Sequence, residues 1–300
     1  MYRYLRNGFV LLLLILLQGA PGFPGLASAV AGNLLWKISG EEGVAYLLGS
    51  IHFGNQAMYP LDETLIRAYH AADALVVEVN ILELDLIDIG RVMTRKGFYT
   101  DGTNLQSHVS PTTWDALEAT AARHGLPLAF FQPQKPWLVT MTLSGLELKR
   151  NGYDENLGID KHFLDLANNR KPILELESFD QQLDLLNSFS PEEQEAFLDQ
   201  TLRDLDQSAA FFDAVVQAWQ AGDDGRLDAL INKQLERDPS TKEIYRVLLS
   251  ERNQSMSKKI ERFLADGRTY FVVVGAGHLV GEEGIVNLFD QKPGYAVEKL

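Results

Sequence analysis

Continuous and alternating apolar runs mark the strands of this chain. Residues 34–39 and 44–50 are β-rich runs on either side of the stretch 40–43, and this pattern predicts a β-hairpin. Short apolar runs at residues 74–79 and 270–274 indicate buried strands, residues 172–176 are again strand-like, and residues 295–300 are expected to form a closing strand. Strands therefore lie near both ends of the chain.

Helical periodicity fills most of the remaining sequence. Ser190 with Glu193 has the form of a capping box, and Pro111 stands at a helix start that we expect to end at Gly125. Other helices are predicted at residues 60–71, 84–96, 136–150, 160–169, 209–221, 226–237, 242–264 and 283–289. The pattern predicts an α/β (α+β) fold, in which N- and C-terminal strands form a central mixed sheet around a largely helical middle insertion.

The first residues have the pattern of an export signal. Arg3 and Arg6 precede an apolar run at residues 9–17, and Ala27-Ser28-Ala29 fits a small-x-small cleavage site. The run is too short to span a bilayer, which needs about 20 apolar residues. We predict cleavage after Ala29, a single domain over residues 30–300 without a membrane span, and a periplasmic or secreted location. An uncleaved N-terminal anchor is the alternative.

Composition narrows the possible chemistry. The net charge is -14, and no basic stripe is visible, which disfavours nucleic acid as a partner. Cysteine is absent, so disulfides, a thiol nucleophile and a thiolate zinc site are excluded. Ser50 and Ser144 lie outside any Gly-x-Ser-x-Gly elbow, which disfavours a serine hydrolase. Without cysteine, any nucleophile or metal ligand must come from His, Asp, Glu, Ser, Thr, Lys or Tyr, and the oligomeric state stays open.

One short pattern occurs twice. Residues 47–52 and 273–278 both read as a buried strand followed by Gly-x-x-His, ending at His52 and His278. Such histidines project at the carboxyl ends of strands, where α/β sheets bind their ligands. If the two strands are neighbours, the histidines meet. The other four histidines, His70, His108, His124 and His162, match no motif, and we expect surface or packing roles for them.

Acidic residues interrupt two of the apolar strands. Glu78 lies near the end of one, and Glu175 and Glu177 bracket the end of another. Buried carboxylates need a partner, either Arg or Lys in a salt bridge or a metal ion. Together with two strand-end histidines, they make a donor set that suits Zn, Mn, Co or Fe in the +2 state.

Four segments match a known family. They are residues 46–54 with 59–61 and 75–79, residues 158–160 with 171–173, 176–178 and 182–183, residues 251–256, and residues 270–279. In these segments the chain resembles the TraB/GumN family, part of a superfamily that includes the TIKI metalloproteases and is related to ChaN-like and erythromycin-esterase-like proteins.

The resemblance implies a set of functional residues. It assigns His52, His278, Glu78 and Glu177 as metal ligands, and Glu78, Glu177 and Arg252 as catalytic residues. Which glutamate is ligand and which is base stays open. Asp160 occupies the family's Gly-hydrophobic-Asp position without a settled role, and Glu175 has no support from the family.

Two functions are compatible with these residues. The first is an exported metal-dependent hydrolase, metallopeptidase-like, that uses a divalent ion such as Mn, Co or Zn on peptides or another amide or ester substrate. The alternative is a non-catalytic periplasmic protein that binds a peptide, haem or metal. For this alternative, the relatives named for pheromone shutdown suggest capture of a peptide, and the ChaN-like relatives suggest haem or iron.

Overall fold

A mixed six-stranded sheet organises the part of the chain that the computed structural model describes, residues 33–237 and 242–300. The predicted export signal, residues 1–29, lies outside the described residues. The strands are β1 (Leu35–Ser39), β2 (Val44–Ser50), β3 (Ala74–Val77), β4 (Ile173–Glu175), β5 (Thr269–Gly275) and β6 (Ala296–Lys299), in the order β4-β3-β5-β2-β1-β6. This arrangement confirms the predicted fold class, and β3 and β4 extend the sheet with strands from the middle of the chain.

The four strands at one side of the sheet run parallel. β2 pairs with β5, β5 with β3, and β3 with β4, all in parallel register. β1 forms the predicted hairpin with β2, and β6 lies antiparallel against β1 at the edge. Every residue of β3 and six of the seven in β5 are buried, because helices cover both faces of a parallel sheet. The carboxyl ends of the four parallel strands consequently meet at one edge.

Helices follow the predicted positions closely. They are α1 (Glu63–Ala71), α2 (Leu86–Gly97), α3 (Pro111–Arg123), α4 (Pro136–Arg150), α5 (Ile159–Ala167), α6 (Phe179–Ser188), α7 (Pro191–Asp204), α8 (Ser208–Gln220), α9 (Asp224–Arg237), α10 (Lys242–Tyr245), α11 (Glu251–Leu264), α12 (Ala276–Leu279) and α13 (Ile285–Asp290). The sequence pattern does not predict α6 or the short α12; α6 begins at a capping box formed by Ser178 and Gln181. None of the helices within the described ranges has the length and apolar character needed to cross a membrane.

A π-helical turn, Arg246–Ser250, separates α10 from α11. Such turns are rare and occur often at functional sites. Here the turn leads directly into α11, whose second residue is Arg252. The Nη1 group of Arg252 donates to the carbonyl oxygen of Leu248 within the turn at 3.1 Å, so this hydrogen bond links the arginine side chain to the turn.

Candidate active site

The carboxyl edge of the parallel strands brings four of the predicted residues together. His52 and His278 follow β2 and β5, which are neighbours in register at Ser50 and Gly275. Glu78 follows β3, and the backbone N–H of Gly275 donates to its Oε1 at 2.7 Å. Across the sheet edge from β4 to β2, the order is therefore Glu177, Glu78, His278 and His52.

Arg252 joins the two glutamates in a buried ion-pair cluster. Its Nη2 lies 2.7 Å from Glu78 Oε2 and 2.6 Å from Glu177 Oε2, and its Nε donates to Glu177 Oε1 at 2.9 Å. Gln182 on α6 donates to both carboxylates, at 3.2 Å and 3.0 Å. The backbone also links the glutamates, because the N–H of Glu177 donates to the carbonyl of Glu78 at 2.9 Å.

The two carboxyl groups differ in acidity because their surroundings differ. Burial raises the pKa of Glu78 above its ordinary value, and the positive charge of Arg252 only partly offsets that effect. Burial acts in the same direction on Glu177, but the hydrogen bonds and charge of Arg252 outweigh it and lower the pKa. Glu78 consequently holds a proton more readily than Glu177 does.

His52 is held by a carboxylate on α5. Its Nδ1 lies 2.8 Å from Asp160 Oδ2, and Asp160 Oδ1 accepts a hydrogen bond from Ser50 at 2.6 Å. Burial opposes the charged imidazole, yet the Asp160 carboxylate outweighs burial and raises the pKa of His52. Gly158 makes the approach of α5 possible, since a Cβ there would lie 2.2 Å from the His52 carbonyl oxygen.

His278 is fully buried and held by an amide on α11. Its Nδ1 lies 2.5 Å from Asn253 Oδ1, while Asn253 Nδ2 donates to the carbonyl oxygen of Glu283 at 2.8 Å. The Nε2 atom has no hydrogen-bond partner among the described residues, and Glu78 Oε1 lies 3.9 Å from it. Burial lowers the pKa of His278 well below its ordinary value, and the charge of Arg252 acts in the same direction, so the imidazole stays neutral.

The donor set fits a divalent ion in part. Both imidazoles are anchored through Nδ1, the arrangement that leaves Nε2 for a metal. Both glutamates, in contrast, are engaged by Arg252. Within residues 33–237 and 242–300, no three His, Asp or Glu side chains are arranged to hold a metal ion together. The histidines therefore fit such a group, whereas the full four-residue ligand set is not assembled.

The site, which consists of the ion-pair cluster and the two histidines, is nearly closed to solvent. The side chains of His52 and Glu177 are each 10% exposed, whereas that of Arg252 is 3% exposed and that of His278 is fully buried. A groove of about 560 Å³ lies elsewhere, and its lining includes Trp36, Asp224, Asp228, Leu279 and Lys299. None of the five site residues lines this groove; they are His52, Glu78, Glu177, Arg252 and His278. We assign the site to the cluster because the buried titratable groups converge there.

Glu175 and the four other histidines lie outside the site and make structural contacts or are exposed. Glu175 is exposed, and its Oε1 accepts the backbone N–H of Asn80 at 2.6 Å, away from Arg252. His70 is exposed, and His108 stacks on Tyr99 with ring centroids 4.2 Å apart. His124 contacts Arg150, and His162 packs against Tyr59 and Phe163.

Three site residues carried no individual signal in the sequence. Gln182 and Asn253 lie in segments that match the family but have no assigned role, and the sequence gives no sign that Ser50 donates to Asp160. The sequence does place Asn253 next to Arg252 on a helix, and that adjacency is the cue that it contained.

The chain is similar to several uncharacterized bacterial proteins. The chain is 29% identical over 241 residues to the uncharacterized protein YbaP of Shigella flexneri, covering 79% of this chain and 84% of that protein. A YbaP protein of Escherichia coli (strain K12) gives 29% over 240 residues, with the same coverage. An uncharacterized protein of Treponema pallidum (strain Nichols) is 25% identical over 275 residues, covering 87% of this chain and 81% of that protein.

No solved structure gives a significant match. The TraB/PrgY/gumN family, in contrast, matches residues 34–299, a range that spans all six strands and all five site residues. The resemblance that the sequence motifs indicated is thereby confirmed, and the chain belongs to the TraB/PrgY/gumN family.

Proposed function

We propose that this protein is a metal-dependent hydrolase acting on peptides or another amide or ester substrate. One observation carries the proposal: two imidazoles, both anchored through Nδ1, stand beside a carboxylate whose pKa is raised. Buried groups with perturbed pKa values cluster at functional sites. The pattern of residues 1–29 supports action outside the cytoplasm, in a periplasm or after secretion.

His52 and His278 would hold the ion through Nε2, with Glu78 as the neighbouring carboxylate. When bound, a divalent ion such as Mn, Co or Zn polarises a carbonyl and makes water a better nucleophile at neutral pH. Imidazole and carboxylate donors suit all three ions. Glu177 accepts three hydrogen bonds from Arg252, so we assign to it the orientation of that arginine.

The protein's own side chains supply the proton acceptor and the charge stabilisation. Glu78 takes the proton released on attack, because its raised pKa brings its proton affinity closer to neutral pH. Arg252 supplies positive charge for the oxygen that becomes negative in the transition state. Substrate approaches from the side of His52 and Glu177, whose side chains keep the most exposure in the cluster.

Burial of the cluster favours a second candidate, a protein that captures a ligand without turnover. Arg252 and His278 are almost inaccessible, and a closed site suits retention better than release of product. The ligand in this case is a peptide, haem or the metal itself.

One experiment separates the two candidates. The protein is incubated with a peptide library and Mn²⁺ or Zn²⁺, and the products are read by mass spectrometry. The proposal expects cleavage that is lost in His52→Ala and retained in His70→Ala, a matched change at an exposed histidine. Intact peptide that co-elutes with the protein supports capture, and equal cleavage by His52→Ala contradicts the proposed mechanism.

A further inference from the structure

The orientation of His278 depends on one amide whose direction the surroundings determine. Asn253 is 2% exposed and presents Oδ1 to His278 Nδ1 at 2.5 Å. Its Nδ2 donates to the carbonyl oxygen of Glu283 at 2.8 Å. With the amide reversed, Oδ1 would face that carbonyl, and two acceptors would be in contact. The amide oxygen therefore faces the histidine.

This direction fixes the proton on the imidazole. A neutral imidazole carries one N–H, and the nitrogen that faces an acceptor must be the donor. Because Asn253 Oδ1 can only accept, Nδ1 of His278 keeps the hydrogen and Nε2 keeps a lone pair. His52 Nδ1 likewise lies close to a carboxylate oxygen, at 2.8 Å from Asp160 Oδ2.

The lone pair of His278 faces another acceptor. Glu78 Oε1 is 3.9 Å from Nε2, and Nε2 has no hydrogen-bond partner among the described residues. Two acceptors facing each other in a buried site are unfavourable unless a positive or positively polarised group lies between them. Without Asn253, the imidazole would relieve this contact by moving its hydrogen to Nε2 and pointing it at Glu78.

We propose that Asn253 is a positioning residue that holds His278 in the Nδ1–H tautomer, so that the Nε2 lone pair is kept for a cation beside Glu78. The requirement for a cation rests on the proposed function, whereas the tautomer can be tested without it. Asn253 follows Arg252 directly on α11, so one turn of helix both neutralises the glutamates and orients the histidine.

The test uses the metal-free full chain with ¹⁵N-labelled histidine. Long-range ¹H–¹⁵N correlation spectra at neutral pH distinguish a protonated ring nitrogen from one with a lone pair. We expect His278 to carry its hydrogen on Nδ1 in the wild type. Asn253→Leu, which removes the acceptor at similar size, should move the hydrogen to Nε2, and Asn253→Asp, which keeps an acceptor, should retain Nδ1–H. His70, which is exposed, should give the same spectrum in all variants.

Two results overturn the proposal: a wild-type His278 with its hydrogen on Nε2, or an Asn253→Leu protein that keeps Nδ1–H. If Asn253→Leu does not fold, Asn253→Ala, which also removes the acceptor, takes its place in the test. A titration with Mn²⁺ on the same samples separates this proposal from the proposed function. The expected tautomer without metal binding contradicts the function alone, and metal binding with the opposite tautomer contradicts the role of Asn253.

Discussion

Removing the charge of Arg252 should destabilise the fold more than removing the whole ion-pair cluster. Arg252→Met keeps most of the side-chain volume and leaves two buried carboxylates without their cation. Breaking a buried ion pair by deleting one partner costs about 3–5 kcal/mol. Both Glu78 and Glu177 lie within 2.7 Å of the same Nη2 atom, so their mutual repulsion is also exposed, and we expect the upper part of that range.

The assay is urea unfolding at neutral pH in the presence of a chelator. With a slope of about 3 kcal/mol/M, at the high end for urea, the midpoint should fall by roughly 1–2 M. The matched control is Arg252→Met combined with Glu78→Gln and Glu177→Gln. Because this variant buries no unpaired charge, it should regain most of the lost stability.

Acid provides an independent check on the same cluster. In Arg252→Met the carboxylates lose the cation that favours ionisation, so their pKa values rise above those of the unfolded chain. The variant therefore gains stability relative to the wild type as the pH falls below neutral and these groups take up protons. A loss below about 1 kcal/mol at neutral pH, or a loss that does not shrink in acid, would refute the ion-pair account.

Other predictions concern the histidines and the backbone that supports them. Gly158→Ala should destabilise the protein and lower its activity, because the new Cβ would lie 2.2 Å from the His52 carbonyl oxygen. Gly90→Ala, in the interior of α2, places a Cβ that meets nothing within 4 Å and should stabilise the protein by about 0.5–1 kcal/mol. Thermal unfolding compares the two variants, and equal effects would contradict the close approach at Gly158. His278 should make the fold sensitive to acid: its lowered pKa means that below about pH 6.5 only the unfolded state takes up its proton, so stability falls with a slope approaching 1.4 kcal/mol per pH unit. His278→Gln should remove that part of the slope in urea titrations at several pH values, and an unchanged slope would show that His278 titrates normally. Trp219→Phe should cost about 1–3 kcal/mol in chemical unfolding, because its Nε1 donates to the buried Gly49 carbonyl oxygen at 2.6 Å; a neutral result would mean that water replaces this donor.

Local pattern predicts much of this fold because the strands are continuous apolar runs. β3 and β5 are buried on both faces and therefore read clearly in the sequence. The pattern does not predict α6, because its ten residues follow a short strand and include several polar side chains. The order of the strands is a long-range property, and neighbouring β2 and β5 are more than 200 residues apart in the chain.

The candidate site is likewise predictable from local sequence only in part. His52, His278, Glu78 and Glu177 follow strand ends, and parallel strands necessarily bring such positions to one edge. Only the family resemblance predicts Arg252 as a site residue. Asp160 and Asn253 reach the histidines from α5 and α11, and nothing in local periodicity reports which helix packs over which strand end.

Direct titration with a divalent ion tests the central claim most closely. Calorimetry with Mn²⁺ or Zn²⁺ at neutral pH should give one site per chain for the wild type. His52→Ala and His278→Ala should each weaken binding by at least about 100-fold, because the outer partners of a metal site alone account for 10–100-fold. His70→Ala, at an exposed histidine, should bind like the wild type. Absence of binding to the wild type, or equal binding by all three variants, would contradict the account.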